Sequence, residues 1–430
     1  MYSPEVTFDG GIESEKKRLS MGNANLIFRG TREYWRANFA LFFAGFVTFS
    51  TLYDFQPLFP NLVSEFGISP MAASLSLSFA TFALACTLPL SGTLSDALGR
   101  RSLMGLAVIL TSLLTFATAY GESLSTLLAL RLVQGIVLAG VPAVAMAYLS
   151  EEMEPRAVGS AMGLYIAGNA FGGMTGRILT AWLADFMPWR SAVGVIGMIS
   201  LALGLFFLLL LPPSRNFERR SFNPGQLTRS LLSHLRNPGL FCLFLVAFTC
   251  MGGFVTLYNY VTFRLLGPEF DLSQTQVASI FLAYAFGAFG SSFMGSLVNR
   301  FGRSTILFTS FSIMASGLVL TMFSGLPAVI VGIVVFTIGF FGAHSVASAW
   351  VGFLATHSRA QASSLYLFSY YLGSSISGTG GGFFYGLWGW SGVVLLILLL
   401  IGVAGIAGMR LTALSRKEEL ATALPGAGGM

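Results

Sequence analysis

The chain has 430 residues, of which 54% are hydrophobic and only 10% are charged, and its formal net charge is +6. Soluble domains carry about 25% charged residues, so this composition excludes a single soluble globular domain. The 40 Phe and 13 Tyr exclude a disordered chain. The sequence therefore predicts an all-α polytopic membrane protein.

Twelve apolar segments of about 20 residues follow one another along the chain, and a helix of that length crosses a hydrocarbon layer of about 30 Å. We predict helices near residues 37–60, 71–94, 102–120, 124–149, 157–183, 189–212, 239–263, 273–298, 304–324, 327–355, 360–385 and 388–411.

The basic residues follow this predicted topology. Of the 24 Lys and Arg, only Arg190 and Arg264 fall in outer loops, and Arg131 and Arg177 fall within helices, which leaves 20 in cytoplasmic segments. The positive-inside rule then predicts that both termini are cytoplasmic. The net charge is explained by topology and does not indicate a nucleic-acid partner.

The chain repeats itself at an offset of roughly 200 residues. TLYDF at 51–55 matches TLYNY at 256–260, and GTLSDALGRR at 92–101 matches GSLVNRFGR at 295–303. An offset of six helices predicts two six-helix bundles inserted as parallel repeats. The predicted organisation is an N-terminal tail, a first bundle, a linker, a second bundle and a C-terminal tail, at 1–36, 37–212, 213–238, 239–411 and 412–430.

Two short sequence motifs of the first bundle match signatures of a known family. Residues 92–101 follow the glycine-x-leucine-x-aspartate-x-x-glycine-arginine-arginine signature of loop 2–3, and the chain resembles the major facilitator superfamily. RLVQG at 131–135 is similar to the helix 4 signature of its proton-coupled members. The resemblance covers about residues 28–412 and is closest to the bacterial YnfM-like, or arabinose-efflux-like, group of proton antiporters.

The resemblance implies a gate at loop 2–3. Asp96 is expected to face a helix N-terminus of the other half and an arginine, and this contact stabilises the outward-open state in the superfamily. The role carries over to Gly92, Gly99, Arg100 and Arg101, although both arginines are equally explained as positive-inside anchors.

Three ionisable side chains lie well inside apolar segments: Asp54, Arg131 and Arg177. Each costs about 2.5–3.5 kcal/mol at a helix centre on insertion scales, so each is expected to face a cavity or a partner. Asp54 and Arg131 lie about 9 and 8 Å from the outer ends of helices 1 and 4. We therefore expect the two side chains to meet.

The roles of these charges remain open between two interpretations. Asp54 is a proton-coupling residue with Arg131, or it is permanently ionised and merely offsets that charge. Arg131 tunes the proton site, or it hydrogen-bonds carbonyls of helix 1 that Pro57 leaves free. For Arg177 the favoured expectation is that the side chain extends outward past Asp185.

Three glycines of helix 5, Gly168, Gly172 and Gly176, share one face and let another backbone approach closely. They are similar to the antiporter signature of that helix, except that Asn169 stands where proline is usual. The resemblance implies that helix 5 packs against the other half and takes part in gating. Gly172→Leu is expected to freeze transport without blocking insertion.

Further candidates for solute contact are polar and aromatic residues of helices 1, 4, 5, 7, 10 and 11, although aromatic residues at helical spacing more often serve packing. The complete set of predicted substrate-binding residues is Tyr53, Gln56, Gln134, Asn169, Arg177, Tyr258, Asn259, His344 and Tyr370.

These features favour a secondary active transporter that exports a small organic solute, drug-like, sugar-like or a metabolite, by proton antiport through alternating access. Proton symport, facilitated diffusion and a transport-inactive binding sensor are the alternatives. The sequence has no phosphate loop and no two-histidine zinc motif, so we expect no enzyme activity, cofactor or metal. The expected partners are the solute, protons and the lipid bilayer. The protein is expected to act as a monomer in the bacterial cytoplasmic membrane.

Overall fold

The computed structural model describes residues 26–217 and 224–423. Residues 1–25, 218–223 and 424–430 lie outside the described parts of the chain. Most of the predicted N-terminal tail, the middle of the linker and the end of the C-terminal tail therefore fall outside them. The basic residues among these are Lys16, Lys17, Arg18, Arg219 and Arg220.

The first half contains eight helices. They are α1 (Arg32–Tyr53), α2 (Phe59–Phe66), α3 (Pro70–Leu98), α4 (Arg100–Thr118), α5 (Leu124–Leu138), α6 (Pro142–Glu152), α7 (Pro155–Phe186) and α8 (Trp189–Leu210).

Two helices predicted to be continuous are broken in this half. The first ends at Tyr53 and continues as a 3₁₀ turn over Gln56–Leu58 before α2. The fourth breaks between α5 and α6, where Pro142 opens the next helix. Proline has no N–H for the helical ladder and clashes with the carbonyl four residues earlier, so both breaks fall beside one.

The linker and the second half contain seven helices. They are α9 (Pro224–Arg236), α10 (Pro238–Leu266), α11 (Gln274–Ala278), α12 (Ala283–Phe301), α13 (Arg303–Leu320), α14 (Leu326–Leu354) and α15 (Arg359–Ala423), the last of which is kinked at Trp388 and Gly389.

These helices make twelve membrane spans. Within the described ranges, nine helices are long and apolar enough to cross a membrane, with α5–α6 and α11–α12 each counted as one. The kink divides α15 into two spans, and α1 and α7 complete the set. The protein is thus an all-α, multi-pass membrane protein with six spans in each half.

The predicted repeat is visible in the backbone. Gly99 and Gly302 occupy equivalent turns with φ of +95° and +83°. Gly172 packs against the carbonyl of Phe46, as Gly373 packs against that of Phe248. Equivalent residues therefore make equivalent contacts in the two halves.

The linker helix α9 docks at the end of the molecule where the linker lies, which we call the linker end. His234 of α9 is buried and stacks on His357, with ring centroids 4.8 Å apart. Burial and the neighbouring His357 lower the pKa of His234 below its ordinary value. The docked helix therefore favours the neutral form of this imidazole.

The two halves meet mainly between α3 and α15. Thr81 and Ser375 hydrogen-bond at 2.7 Å, and so do Ser78 and Thr379. The hydrogen bonds Gln56–Asn259, Tyr260–Ser74 and Thr275–Asp185 also join the halves, and they lie on the side of Thr81 away from the linker. The molecule is therefore closed at the end opposite the linker.

Candidate functional site

The site begins at the broken end of α1. A helix leaves its last carbonyls without intrahelical partners, and Arg131 of α5 fills this gap. Its Nη1 donates to the Thr51 carbonyl at 2.9 Å and its Nη2 to the Leu52 carbonyl at 2.5 Å. The guanidinium thus caps a helix C-terminus, where the helix dipole favours a cation.

Arg131 also contacts Asp54, the residue that follows α1. Its Nη1 lies 3.3 Å from Asp54 Oδ1, and both side chains are completely buried. Asp54 Oδ2 has no hydrogen-bond partner among the described residues. The structure thus brings together the two charges that were predicted to lie at similar depths in the membrane. Among the described side chains, Asp54 is held only by Arg131, through the 3.3 Å contact.

Two further contacts fix Arg131. Nη1 donates to Gln134 Oε1 at 2.6 Å, and Nε donates to the Ser76 carbonyl of α3 at 2.8 Å. Gln134 in turn donates to Thr115 Oγ1 at 2.7 Å. Both interpretations of Arg131 have a geometric basis, because it contacts the carboxylate and caps the carbonyls at once.

Arg177 of α7 corrects an expectation. We expected its side chain to extend outward past Asp185, but it is 1% exposed. Nε donates to Gln56 Oε1 and Nη1 to the Gly173 carbonyl, both at 2.6 Å. α7 continues to Phe186, so Arg177 is nine residues, or about 14 Å, from its end.

Gln56 joins Arg177 to the second half. Its Nε2 donates to Asn259 Oδ1 at 2.7 Å, and Asn259 Nδ2 donates to the Gly378 carbonyl at 3.4 Å. Gln56 and Asn259 are completely buried. Three of the predicted substrate-binding residues therefore form one polar chain across the two halves.

The remaining predicted contact residues differ in accessibility. Tyr258 is fully buried and its hydroxyl is paired with Thr337 at 2.8 Å, which indicates packing. His344 and Tyr370 are partly exposed, with ring centroids 4.8 Å apart. Asn169 is also partly exposed, and its side-chain oxygen lies against Gly45 of α1. Tyr53 lies over Arg177, with the guanidinium carbon 3.9 Å from its ring centroid.

Helix 5, which is α7 in the structure, packs against the second half as expected, since Thr275 N donates to Asp185 Oδ2 at 2.9 Å. Its glycine face, however, lies on α1. A Cβ on Gly168 or Gly172 would lie 2.5 or 2.3 Å from carbonyl oxygens of α1, and one on Gly176 would lie 2.6 Å from Ser50 Cα. These glycines therefore pack α7 onto α1 of the same half, not onto the other half. The close approach between halves is at Gly382 of α15, where a Cβ would lie 2.5 Å from Met71 Cα.

Loop 2–3 makes only part of its expected contact. Asp96 pairs with Arg100 at 2.6 Å, and Arg100 also pairs with Glu151 at 2.7 Å. Arg101 donates to the Leu208 carbonyl at 2.9 Å. A Cβ on Gly92 would meet nothing within 4 Å. No described residue of the second half hydrogen-bonds or ion-pairs with Asp96.

Sequence reasoning missed the hydroxyl pairs that join α3 and α15. Besides the two pairs above, Tyr260 of α10 donates to the Gly378 carbonyl at 2.8 Å and to Ser74 at 3.3 Å. The sequence does contain Ser and Thr at short intervals in the second and eleventh predicted helices, which are α3 and the first part of α15. Hydroxyls in membrane helices also bond their own backbone, so such a run does not show which of them cross an interface.

Comparison with known proteins identifies this architecture. The family model for the Major Facilitator Superfamily matches residues 39–267 and 258–426. The chain belongs to this superfamily. It is 47% identical to the uncharacterised MFS-type transporter YybF of Bacillus subtilis (88% of this chain, 94% of that one). It is 44% identical to the inner membrane transport protein YnfM of Escherichia coli (95% and 98%).

Solved structures of the same fold also match. A bacterial homologue of the human lysosomal transporter Spinster, inward-facing and unoccupied, superposes with a TM-score of 0.70 at 16% identity, over 89% of this chain and 97% of that one. A point mutant of the nucleoside transporter NupG gives 0.71 at 13% identity, over 88% and 99%. The superfamily fold of two six-helix halves is thereby established, and the relatives' names are those of transporters.

Proposed function

We propose that the protein is a secondary active transporter that exports a small organic solute in exchange for protons by alternating access. The observation that carries the proposal is the Asp54–Arg131 pair. A completely buried carboxylate lies at a break in a central helix, 3.3 Å from a fixed arginine, and one of its oxygens is free of hydrogen bonds from the described residues.

Burial and the arginine act on Asp54 in opposite directions. Burial disfavours the charged carboxylate, whereas Arg131 favours it. Arg131 is bonded to three helices, namely α1, α3 and α5. A rearrangement of these helices therefore changes the separation of the charges and the hydration of Asp54, and with them its proton occupancy.

The contacts between the halves support alternating access. They lie at the end opposite the linker, whereas Asp96 at the linker end contacts only its own half. We assign the linker end and both termini to the cytoplasm of a bacterial cell, because the basic residues are concentrated there. The described conformation is then open to the cytoplasm, and the gate at loop 2–3 forms in the opposite conformation.

The test is solute-driven proton movement in proteoliposomes that contain the purified protein. Sugars, organic acids, amino acids and amphipathic drugs are added to one side while internal pH and the bound and internal amounts of solute are recorded. The proposal predicts that at least one class drives protons in the opposite direction. Parallel proton movement would indicate a symporter, solute movement without protons a facilitator, and solute binding without movement of solute or protons a binding sensor.

A further inference from the structure

The buried charges of the central region do not balance. Arg131 has Asp54 as a counter-ion. Arg177 donates instead to neutral oxygens, those of Gln56 and Gly173. No carboxylate among the described residues lies within ion-pair distance of Arg177, and the side chain is 1% exposed. A buried charge without a counter-ion is costly, so this cation is set up for a partner that the chain does not provide.

Aromatic rings from both halves surround the Arg177 guanidinium. Its carbon lies 3.9 Å from the ring centroid of Tyr53, 4.9 Å from that of Phe281 and 5.0 Å from that of Tyr284. Tyr53 belongs to the first half and the other two rings to the second. Such ring faces attract a guanidinium but do not neutralise its charge. The positive charge therefore stays available to pair with an anion.

A partly exposed aromatic surface continues from this point into the second half. It is formed by side chains of α12, α14 and α15, namely Tyr284, Phe341, His344 and Tyr370. Each of them packs against the core and is partly exposed. The ring centroids of Tyr284 and Phe341 are 5.8 Å apart and those of His344 and Tyr370 are 4.8 Å apart. The buried Phe340 joins the two pairs, 5.3 Å from Phe341 and 6.1 Å from His344. This surface offers flat apolar area to a ring.

We propose that the solute is an aromatic organic anion whose carboxylate pairs with Arg177 while its ring lies on the surface formed by Tyr284, Phe341, His344 and Tyr370. The assignment rests on the proposed function only in treating the bound molecule as the transported one. A carboxylate forms two parallel hydrogen bonds with a guanidinium. A neutral solute leaves the buried charge unbalanced, and a cation is repelled by it.

Gln56 gives binding a route to conformational change. Its side-chain amide accepts from Arg177 through one atom and donates to Asn259 of the other half through another. A carboxylate that takes the Arg177 donor releases the Gln56 oxygen. The Gln56–Asn259 hydrogen bond between the halves is then no longer fixed by Arg177. Binding of the anion therefore weakens closure at the end opposite the linker.

The experiment measures binding to the purified full chain in detergent, by intrinsic tryptophan fluorescence, with three pairs of probes. Each pair contains an acid and its neutral amide: benzoate and benzamide, 4-hydroxybenzoate and 4-hydroxybenzamide, and 1-naphthoate and 1-naphthamide. Within at least one pair the acid is expected to bind about tenfold more tightly, the gain typical of a charge-assisted hydrogen bond. Arg177→Gln should reduce that preference to about twofold or less, and Arg177→Lys should retain part of it.

The control is Arg190→Gln, which removes a charge from the same half at a residue paired with Glu65 outside the site. It should leave the acid preference unchanged. A purely structural role for Arg177 would weaken acids and amides equally in Arg177→Gln, and that result would overturn the proposal. So would the absence of an acid preference in all three pairs. An acid preference without any solute-driven proton movement in proteoliposomes would reject the proposed antiport and leave the anion site standing.

Discussion

Arg131 is the side chain that orders the centre of the first half. It donates to three backbone carbonyls, to Gln134 and to Asp54. Arg131→Gln removes most of these bonds and leaves a buried carboxylate without its counter-ion. We expect it to lower the free energy of unfolding by about 3–5 kcal/mol.

The stability of Arg131→Gln is to be compared with that of Asp54→Asn, which removes the other charge of the same pair. Asp54 accepts one long hydrogen bond from Arg131, and the amide retains the shape and the acceptor. Because Arg131 keeps its bonds to three backbone carbonyls, the destabilisation should be smaller, about 1 kcal/mol. Thermal unfolding in detergent, followed by tryptophan fluorescence, measures both variants. Equal losses would show that the carbonyl contacts of Arg131 contribute little.

The intramembrane charges show how far a sequence can predict a site. Charges are rare in apolar segments, so Asp54, Arg131 and Arg177 stood out, and helix direction gave the depth at which the first two meet. The position of Arg177 was not predictable in the same way. A difference of three residues in the end of its helix, together with an unknown rotation about the helix axis, decides whether a long side chain reaches the interface or the interior.

At the scale of helices, the number of spans and the repeat were predictable because apolar length and internal similarity are properties of the sequence itself. The breaks beside Pro57 and Pro142 and the partners of the glycine faces were not. Glycines at intervals of four predict that a backbone approaches closely. They do not determine which helix supplies it: Gly172 approaches a helix of its own half, whereas Gly382 approaches a helix of the other half.

The contact of α7 with α1 gives a prediction about stability. Gly172→Leu places a side chain where a Cβ already lies 2.3 Å from the Phe46 carbonyl oxygen. We expect a loss of about 3 kcal/mol or more from overpacking. Gly163→Leu on the same helix is the control, because a Cβ there meets nothing within 4 Å. Unfolding temperatures in detergent test the pair, and a Gly172→Leu protein as stable as the control would contradict the packing described.

The contact of α15 with α3 gives a prediction about conformation. Gly382→Leu forces Met71 away and should hinder closure at the end opposite the linker, whereas Gly386→Leu has open space around it. The readout is disulfide formation between Cys residues introduced at Thr81 and Ser375, with the three native cysteines replaced by serine. Cross-linking should fall several-fold with Gly382→Leu and stay unchanged with Gly386→Leu. Equal yields would show that this approach does not control closure.

For the molecule as a whole, the proposed alternating access requires two conformations, of which the described one is closed at the end opposite the linker. The Thr81 and Ser375 hydroxyl oxygens are 2.7 Å apart, so the Thr81→Cys/Ser375→Cys disulfide should hold the end opposite the linker closed. Oxidation is expected to stop solute exchange in proteoliposomes, and a reductant should restore it. Thr81→Cys alone is the control. Full exchange by the oxidised double variant would show that these helices do not separate during transport.

The central claim is that proton movement is coupled to solute movement through Asp54. It is tested most directly by comparing solute-driven proton movement in proteoliposomes of the unchanged protein, of Asp54→Asn, and of Asp271→Asn, an exposed carboxylate outside the spans. We predict opposed proton movement in the unchanged protein and in Asp271→Asn, and its loss in Asp54→Asn with solute binding retained. Equal proton movement in all three proteins would contradict the account and place the coupling site elsewhere.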